Sequence, residues 1–102
     1  MSNHQQVKIG VVGCGGRGRH HLERLATLDD VHVVAIADAS QEARTNVGDQ
    51  YDVARRFEGI DDLLDGADVD AVVLATPAHL NAATAAVSLE RGIDTLMEKP
   101  PG

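Results

Sequence analysis

Residues Val7-Lys8-Ile9-Gly10-Val11-Val12 form an apolar run that leads directly into Gly13-Cys14-Gly15-Gly16-Arg17-Gly18. The spacing is Gly-x-Gly-x-x-Gly, and each of its three glycines has a separate physical task. Gly13 lets the chain turn sharply off a strand. Gly15 carries no side chain, so the backbone can approach a pyrophosphate. Gly18 lets the following helix lie close to the strand. The N-terminus of that helix then presents its N–H groups and positive dipole end to the phosphates. Ten glycines in 102 residues will sometimes fall at this spacing by chance. Position decides the reading: the motif follows a strand, precedes a helix and is followed at the right distance by an acidic residue. Gly16 and Arg17 fall inside the same loop, where Arg17 can approach the pyrophosphate.

The acidic residue is Asp38. It ends Val31-His32-Val33-Val34-Ala35-Ile36-Ala37, a β-branched run that reads as a buried second strand. A carboxylate at the end of this strand accepts hydrogen bonds from the adenosine ribose hydroxyls and repels a 2′-phosphate. NAD is therefore expected over NADP. The competing reading is that Asp38 caps the next helix, with Gln41 completing a capping box. Arg44 is the one nearby cation suited to a 2′-phosphate; on a helix that also carries Glu42 it reads as a solvated surface charge.

The length suits one small domain. No apolar run approaches the roughly 18 residues of a membrane helix. Residues 1–6 are polar, with no apolar segment of the kind a signal peptide needs, and read as a disordered lead-in. Cys14 is the single cysteine, so no internal disulfide is possible. A cytoplasmic location follows as the default. Sixteen acidic residues against nine basic give a net charge of −7, which argues against nucleic acid and anionic membranes as partners. Aspartate outnumbers glutamate, and Lys8 and Lys99 are the only lysines. Such a surface suits high salt, where like-charge repulsion is screened, and a halophilic source is expected.

Strand and helix patterns alternate along the chain. Strands are expected at about 7–12, 31–37, 53–57, 69–75 and 95–97. Helices are expected at about 17–28, 41–49, 60–64 and 81–91, the first with a stripe of Leu22, Leu25 and Leu28 and the last stopped by Gly92. Alternation implies an α/β fold of Rossmann type, a doubly wound parallel sheet covered on both faces. Right-handed crossovers and a nucleotide loop after the first strand favour the order 3-2-1-4-5. Residues 7–102 then form one dinucleotide-binding domain. The chain stops just after a strand and Pro100-Pro101, where a six-stranded sheet would continue. It is expected to be the front part of a longer protein, with an unprotected edge strand and marginal stability on its own.

Three segments taken in order carry a more specific signal: Gly13-Cys14-Gly15-Gly16-Arg17-Gly18, Ala75-Thr76-Pro77-Ala78-His79-Leu80-Asn81, and Glu98-Lys99-Pro100. Together they resemble the Gfo/Idh/MocA family of glucose–fructose oxidoreductase and inositol dehydrogenase relatives, over essentially all of residues 7–102. The resemblance implies an N-terminal NAD(P)-binding domain, followed by a larger C-terminal domain that supplies most substrate contacts and the usual oligomer interface. It implies an oxidoreductase that moves hydride between the nicotinamide and a hydroxyl of a sugar, cyclitol or related polyol, and a homo-oligomer for the full-length protein. It implies that Thr76 and Pro77 border the dinucleotide and that Lys99 contacts the substrate hydroxyl as the catalytic residue; Glu98 reads as a residue of the cofactor site that orients this loop or pairs locally. The chemistry agrees, since an ammonium stabilises the oxyanion that develops as a carbinol loses hydride. No metal site is implied.

The sequence departs from the family in one place: Asn81 stands where members often carry histidine, and His79 lies two residues earlier. His20 and His21 read as packing or surface residues. The family's second acid/base group lies in the C-terminal domain, so these 102 residues alone are expected to bind cofactor with little or no turnover. Two alternatives stay open: an NAD-using glycosidase of the same family, and a nucleotide-binding module without catalysis. A methyltransferase shares the glycine loop and the acidic strand end but gives no reason for Glu98-Lys99-Pro100.

Overall fold

The computed structural model of the chain describes residues 7–75 and 78–97, with side chains at all of these except 16, 17, 78–81 and 97. Five strands alternate with four helices: β1 Val7–Val12, α1 Gly16–Ala26, β2 Val31–Ala37, α2 Gln41–Gln50, β3 Arg55–Phe57, α3 Ile60–Gly66, β4 Ala71–Leu74, α4 Ala78–Glu90 and β5 Asp94–Met97. All strand pairs are parallel, and the sheet order is β3-β2-β1-β4-β5. This is the expected doubly wound order. The sheet turns around at β1, between β2 and β4, and a crevice opens there at the carboxyl ends of the strands. The lead-in at residues 1–6 and the Pro100-Pro101 turn lie outside the described residues.

Side-chain alternation along the strands builds two cores. Ile9 and Val11 of β1, Ile36 of β2 and Val73 of β4 face α1 and α2, where they meet Leu22, Val47 and Val53. Val12, Ala35, Ala37, Val72 and Leu74 face the opposite side, against Ile60, Leu63 and Ala85. Both faces of the central strands are therefore dry, which is why their sequences are apolar throughout rather than alternating.

One irregularity positions the site. The β1–β2 register runs Ile9 opposite Val33 and then Gly10 opposite Ala35, so Val34 is an extra residue in β2. Val34 and Ala35 both pack toward the α3/α4 core. After the shift Val12 pairs with Ala37, and the next residue of β2, Asp38, falls beside the glycine turn.

Several boundaries differ from the sequence expectation. α1 ends at Ala26 with Thr27 as its C-cap. Leu22 is buried and Leu25 half-buried, but Leu28 lies beyond the helix and is 51% exposed, so the stripe is two residues long. β3 starts at Arg55 and β4 at Ala71, because Val53 and Val69 sit in the connections and reach the cores from there. α4 begins at Ala78 rather than Asn81. β5 is an edge of the sheet, and its Leu96 is 56% exposed.

Candidate dinucleotide site

The glycine loop is shaped by three different constraints. Gly13 has φ +103, a conformation that L side chains rarely adopt. Gly18 approaches the strand end so closely that a Cβ there would lie 1.8 Å from the Gly13 carbonyl oxygen. Gly15 is different: a Cβ built on it meets nothing within 4 Å, and its φ is −79. Nothing within the fold requires glycine at 15. A residue kept free of a side chain, exposed, and standing at the N-cap of α1 leaves room for something from outside. The first turn of α1 contains no acidic residue, so the positive end of the helix is not neutralised from within that turn. Gly16 opens that turn, and the side chain of Arg17 lies outside the described set.

Asp38 is tied to this loop. Its Oδ2 accepts a hydrogen bond from the Cys14 backbone N–H at 2.8 Å, and its Oδ1 accepts one from Ser40 N–H at 2.8 Å. Gly13 N–H donates to the Ala37 carbonyl at 2.7 Å, and Asp38 N–H donates to the Phe57 carbonyl at 3.0 Å. Among the described residues every other aspartate and glutamate is exposed; Asp38 alone is half-buried. Each of its oxygens keeps a second lone pair, so the carboxylate can still accept from a ligand hydroxyl. Asp38 is not the cap of α2, and Gln41 is the first residue of that helix rather than the third, so the capping-box reading does not hold. The bond from Ser40 N–H is an Asx turn, while the cap itself is Ser40, whose Oγ accepts from Ala43 N–H at 3.2 Å.

Arg44 corrects an expectation. It is half-buried rather than solvated, and its guanidinium donates to the Asp38 carbonyl oxygen at 2.6 Å. No sequence pattern marks this contact, because it depends on how α2 turns back across the end of β2.

Cys14 is 2% exposed, and its Sγ lies 3.7 Å from the Ala37 carbonyl oxygen. Burial, and then the Asp38 carboxylate, push its thiol up to about 11 against the opposing charges of Arg44 and Arg19. It is a protonated packing residue, the role that its place in the loop suggests.

An open groove of about 330 Å³ runs alongside, lined by Cys14, Gly15, Arg19, Ser40, Glu42, Ala43 and Asn46. It lies between the first turns of α1 and α2, at the carboxyl ends of β1 and β2. Thr76, Pro77, Glu98 and Lys99 lie outside the described residues, as do the side chains of His79 and Asn81. Arg19, Glu42 and Asn46 line the groove, although no spacing in the sequence marks them for it. They are ordinary polar residues on helix surfaces, and only the packing of α1 beside α2 makes them neighbours.

Residues 7–102 match the Gfo/Idh/MocA model, an oxidoreductase family with an NAD-binding Rossmann fold. The chain belongs to this family. Inositol 2-dehydrogenase 1 of Saccharopolyspora erythraea is 38% identical over 96 residues, 92% of this chain and 28% of that protein. The rhizopine catabolism protein MocA of Rhizobium meliloti is 32% identical over 97 residues, 95% of this chain and 30% of that protein. Among solved structures, the scyllo-inositol dehydrogenase of Lactobacillus casei with bound NAD(H) and scyllo-inositol superposes with a TM-score of 0.88 at 28% identity, over 94% of this chain and 28% of that one. This family member thus spans under a third of the length of these relatives, and the part it spans is the NAD-binding Rossmann fold. The glycine loop, with the room left at Gly15, and the Asp38 carboxylate are a donor and acceptor set that fits NAD.

Proposed function

We propose that this chain is the cofactor-binding part of an NAD-dependent oxidoreductase acting on a hydroxyl of a sugar, cyclitol or related polyol. The observation that carries the reading is the pairing of a Gly15 that the fold does not need with the half-buried Asp38 tied to the same loop. The family match and the inositol dehydrogenases among its relatives support the substrate class. Gly13, Gly15, Gly16 and Gly18 bring backbone N–H groups to the pyrophosphate, with Arg17 as an added cation. Asp38 accepts from the adenosine ribose. Thr76, Pro77 and Glu98 border the cofactor.

When bound, NAD supplies the acceptor for the hydride. Lys99 holds the substrate hydroxyl and stabilises the negative charge that grows on its oxygen as the proton passes to the second acid/base group, which the resemblance puts in the C-terminal domain. Pro100 restricts the backbone beside it. These 102 residues by themselves bind cofactor and turn substrate over weakly at most, because the family resemblance puts the second acid/base group in the C-terminal domain. The full-length protein is proposed to be a homo-oligomer.

The test is a titration of the purified protein with NADH, followed by fluorescence or calorimetry. NADH is expected to bind saturably, and Asp38→Ala to weaken it about tenfold or more, the worth of a hydrogen bond to a charged acceptor. A folded protein that shows no NADH binding overturns the reading.

A further inference from the structure

Asp38 is the residue that the strand-end rule assigns to cofactor choice, but it is not the only carboxylate placed to act on it. The N–H groups that donate to Asp38 belong to Cys14 and Ser40, and both residues also line the groove. A phosphate on a ribose hydroxyl donating to Asp38 would therefore stand beside that groove.

Shape does not reject it, since the groove is open and holds about 330 Å³. Nor does a lack of positive charge, since Arg19 is one of the lining residues and the N-terminus of the ten-residue α2 opens beside it. Arg44 is tethered by one N–H to the Asp38 carbonyl oxygen, and its charge still reaches Cys14 on the groove lining. What opposes a phosphate in the groove is Glu42. It lies in the first turn of α2, is exposed, and makes no ion pair with another described residue. Its charge acts on whatever occupies the groove, against that of Arg19 on the same lining.

We propose that Glu42 is a second determinant of cofactor choice, which keeps the 2′-phosphate of NADP out of the groove beside Asp38 by charge rather than by shape. The inference rests on the NAD reading above.

The test measures NADH and NADPH affinities of the wild-type protein and of Glu42→Gln, Glu42→Asp and Asp38→Ser/Glu42→Gln. Glu42→Gln keeps the shape and removes the charge. It is expected to raise the NADPH-to-NADH affinity ratio roughly three- to tenfold, through tighter NADPH binding, at low ionic strength. Glu42→Asp retains the charge and is expected to keep the wild-type ratio. The double variant is expected to exceed the Glu42→Gln change. A ratio that Glu42→Gln leaves unmoved, with NADH still bound, overturns this inference and leaves the NAD reading intact. So does an equal rise in Glu42→Asp, which makes the effect steric. Absence of NADH binding in the wild type overturns the NAD reading itself. A role for Glu42 confined to the helix dipole moves the melting temperature and not the ratio.

Discussion

Asp38 joins the strand end, the glycine loop and the start of α2 through its own atoms. Its carboxylate accepts from Cys14 N–H and Ser40 N–H, and its carbonyl oxygen accepts from the Arg44 guanidinium. The residue proposed to meet the ribose therefore also orders the loop. That preorganisation lowers the entropy to be lost on binding. Cys14 reads out the same packing. Its thiol is buried and pushed up to about 11, so at pH 8 it is almost wholly protonated. Iodoacetamide at pH 8 is expected to modify it many times more slowly in the native protein than in urea. Equal rates in the two states would mean that the glycine loop is open in solution. The acidic end of β2 was legible in the sequence because a carboxylate closing an apolar run is conspicuous. Arg44 was not, because a long side chain six residues on looks the same whether it reaches water or a main-chain carbonyl.

At the scale of the elements, α1 depends on two glycines for opposite reasons. Gly18 is needed by the fold, since a Cβ there would overlap the Gly13 carbonyl oxygen at 1.8 Å. Gly18→Ala is expected to destabilise the protein by about 1–3 kcal/mol, because the clash is with backbone and the gain in helix propensity of about 1 kcal/mol does not offset it. Gly15 is not needed by the fold. Gly15→Ala is expected to change stability by less than about 1 kcal/mol while weakening NADH binding severely. Thermal unfolding and NADH titration of the two variants check both statements. If Gly15→Ala binds NADH like the wild type, a side chain at 15 does not obstruct the pyrophosphate. The spacing of the motif assigned Gly18 its packing task in advance. The start of α4 at Ala78 and the short β3 were less legible, because Ala-His-Leu continues a helix as readily as it ends a loop, and a three-residue strand carries too little periodicity to read.

For the molecule as a whole, charge is the main unbalanced term. The net charge is −7, and among the described residues all acidic side chains except Asp38 lie on the surface. The ion pairs Lys8–Asp68, Arg56–Asp49 and Arg91 with Asp61 and Asp65 are exposed or nearly so, and each contributes little. Salt weakens these few attractions and also screens the larger set of repulsions. The melting temperature is expected to rise as KCl goes from about 0.1 M to about 2 M, since the Debye length shrinks well below the spacing of surface charges. A fall over that range would show that the ion pairs outweigh the net repulsion. Among the described residues no helix is long and apolar enough to cross a membrane.

The order of the strands, the two-sided core and the place of the glycine loop were determined by the sequence itself. They follow from local signals: apolar runs, a 3.6-residue period, and glycines at a fixed spacing. Tertiary structure decided the rest, where the cause lies between elements. The extra residue at Val34 puts two successive β2 side chains on one face and brings Asp38 level with the glycine turn. No pattern within β2 marks that shift, because both faces are apolar and a slipped register looks the same in sequence. The groove that brings Arg19 and Glu42 to one cleft likewise exists only once α1 and α2 lie side by side. Which charges share that groove is set by the distance between helices, and no residue encodes that distance alone.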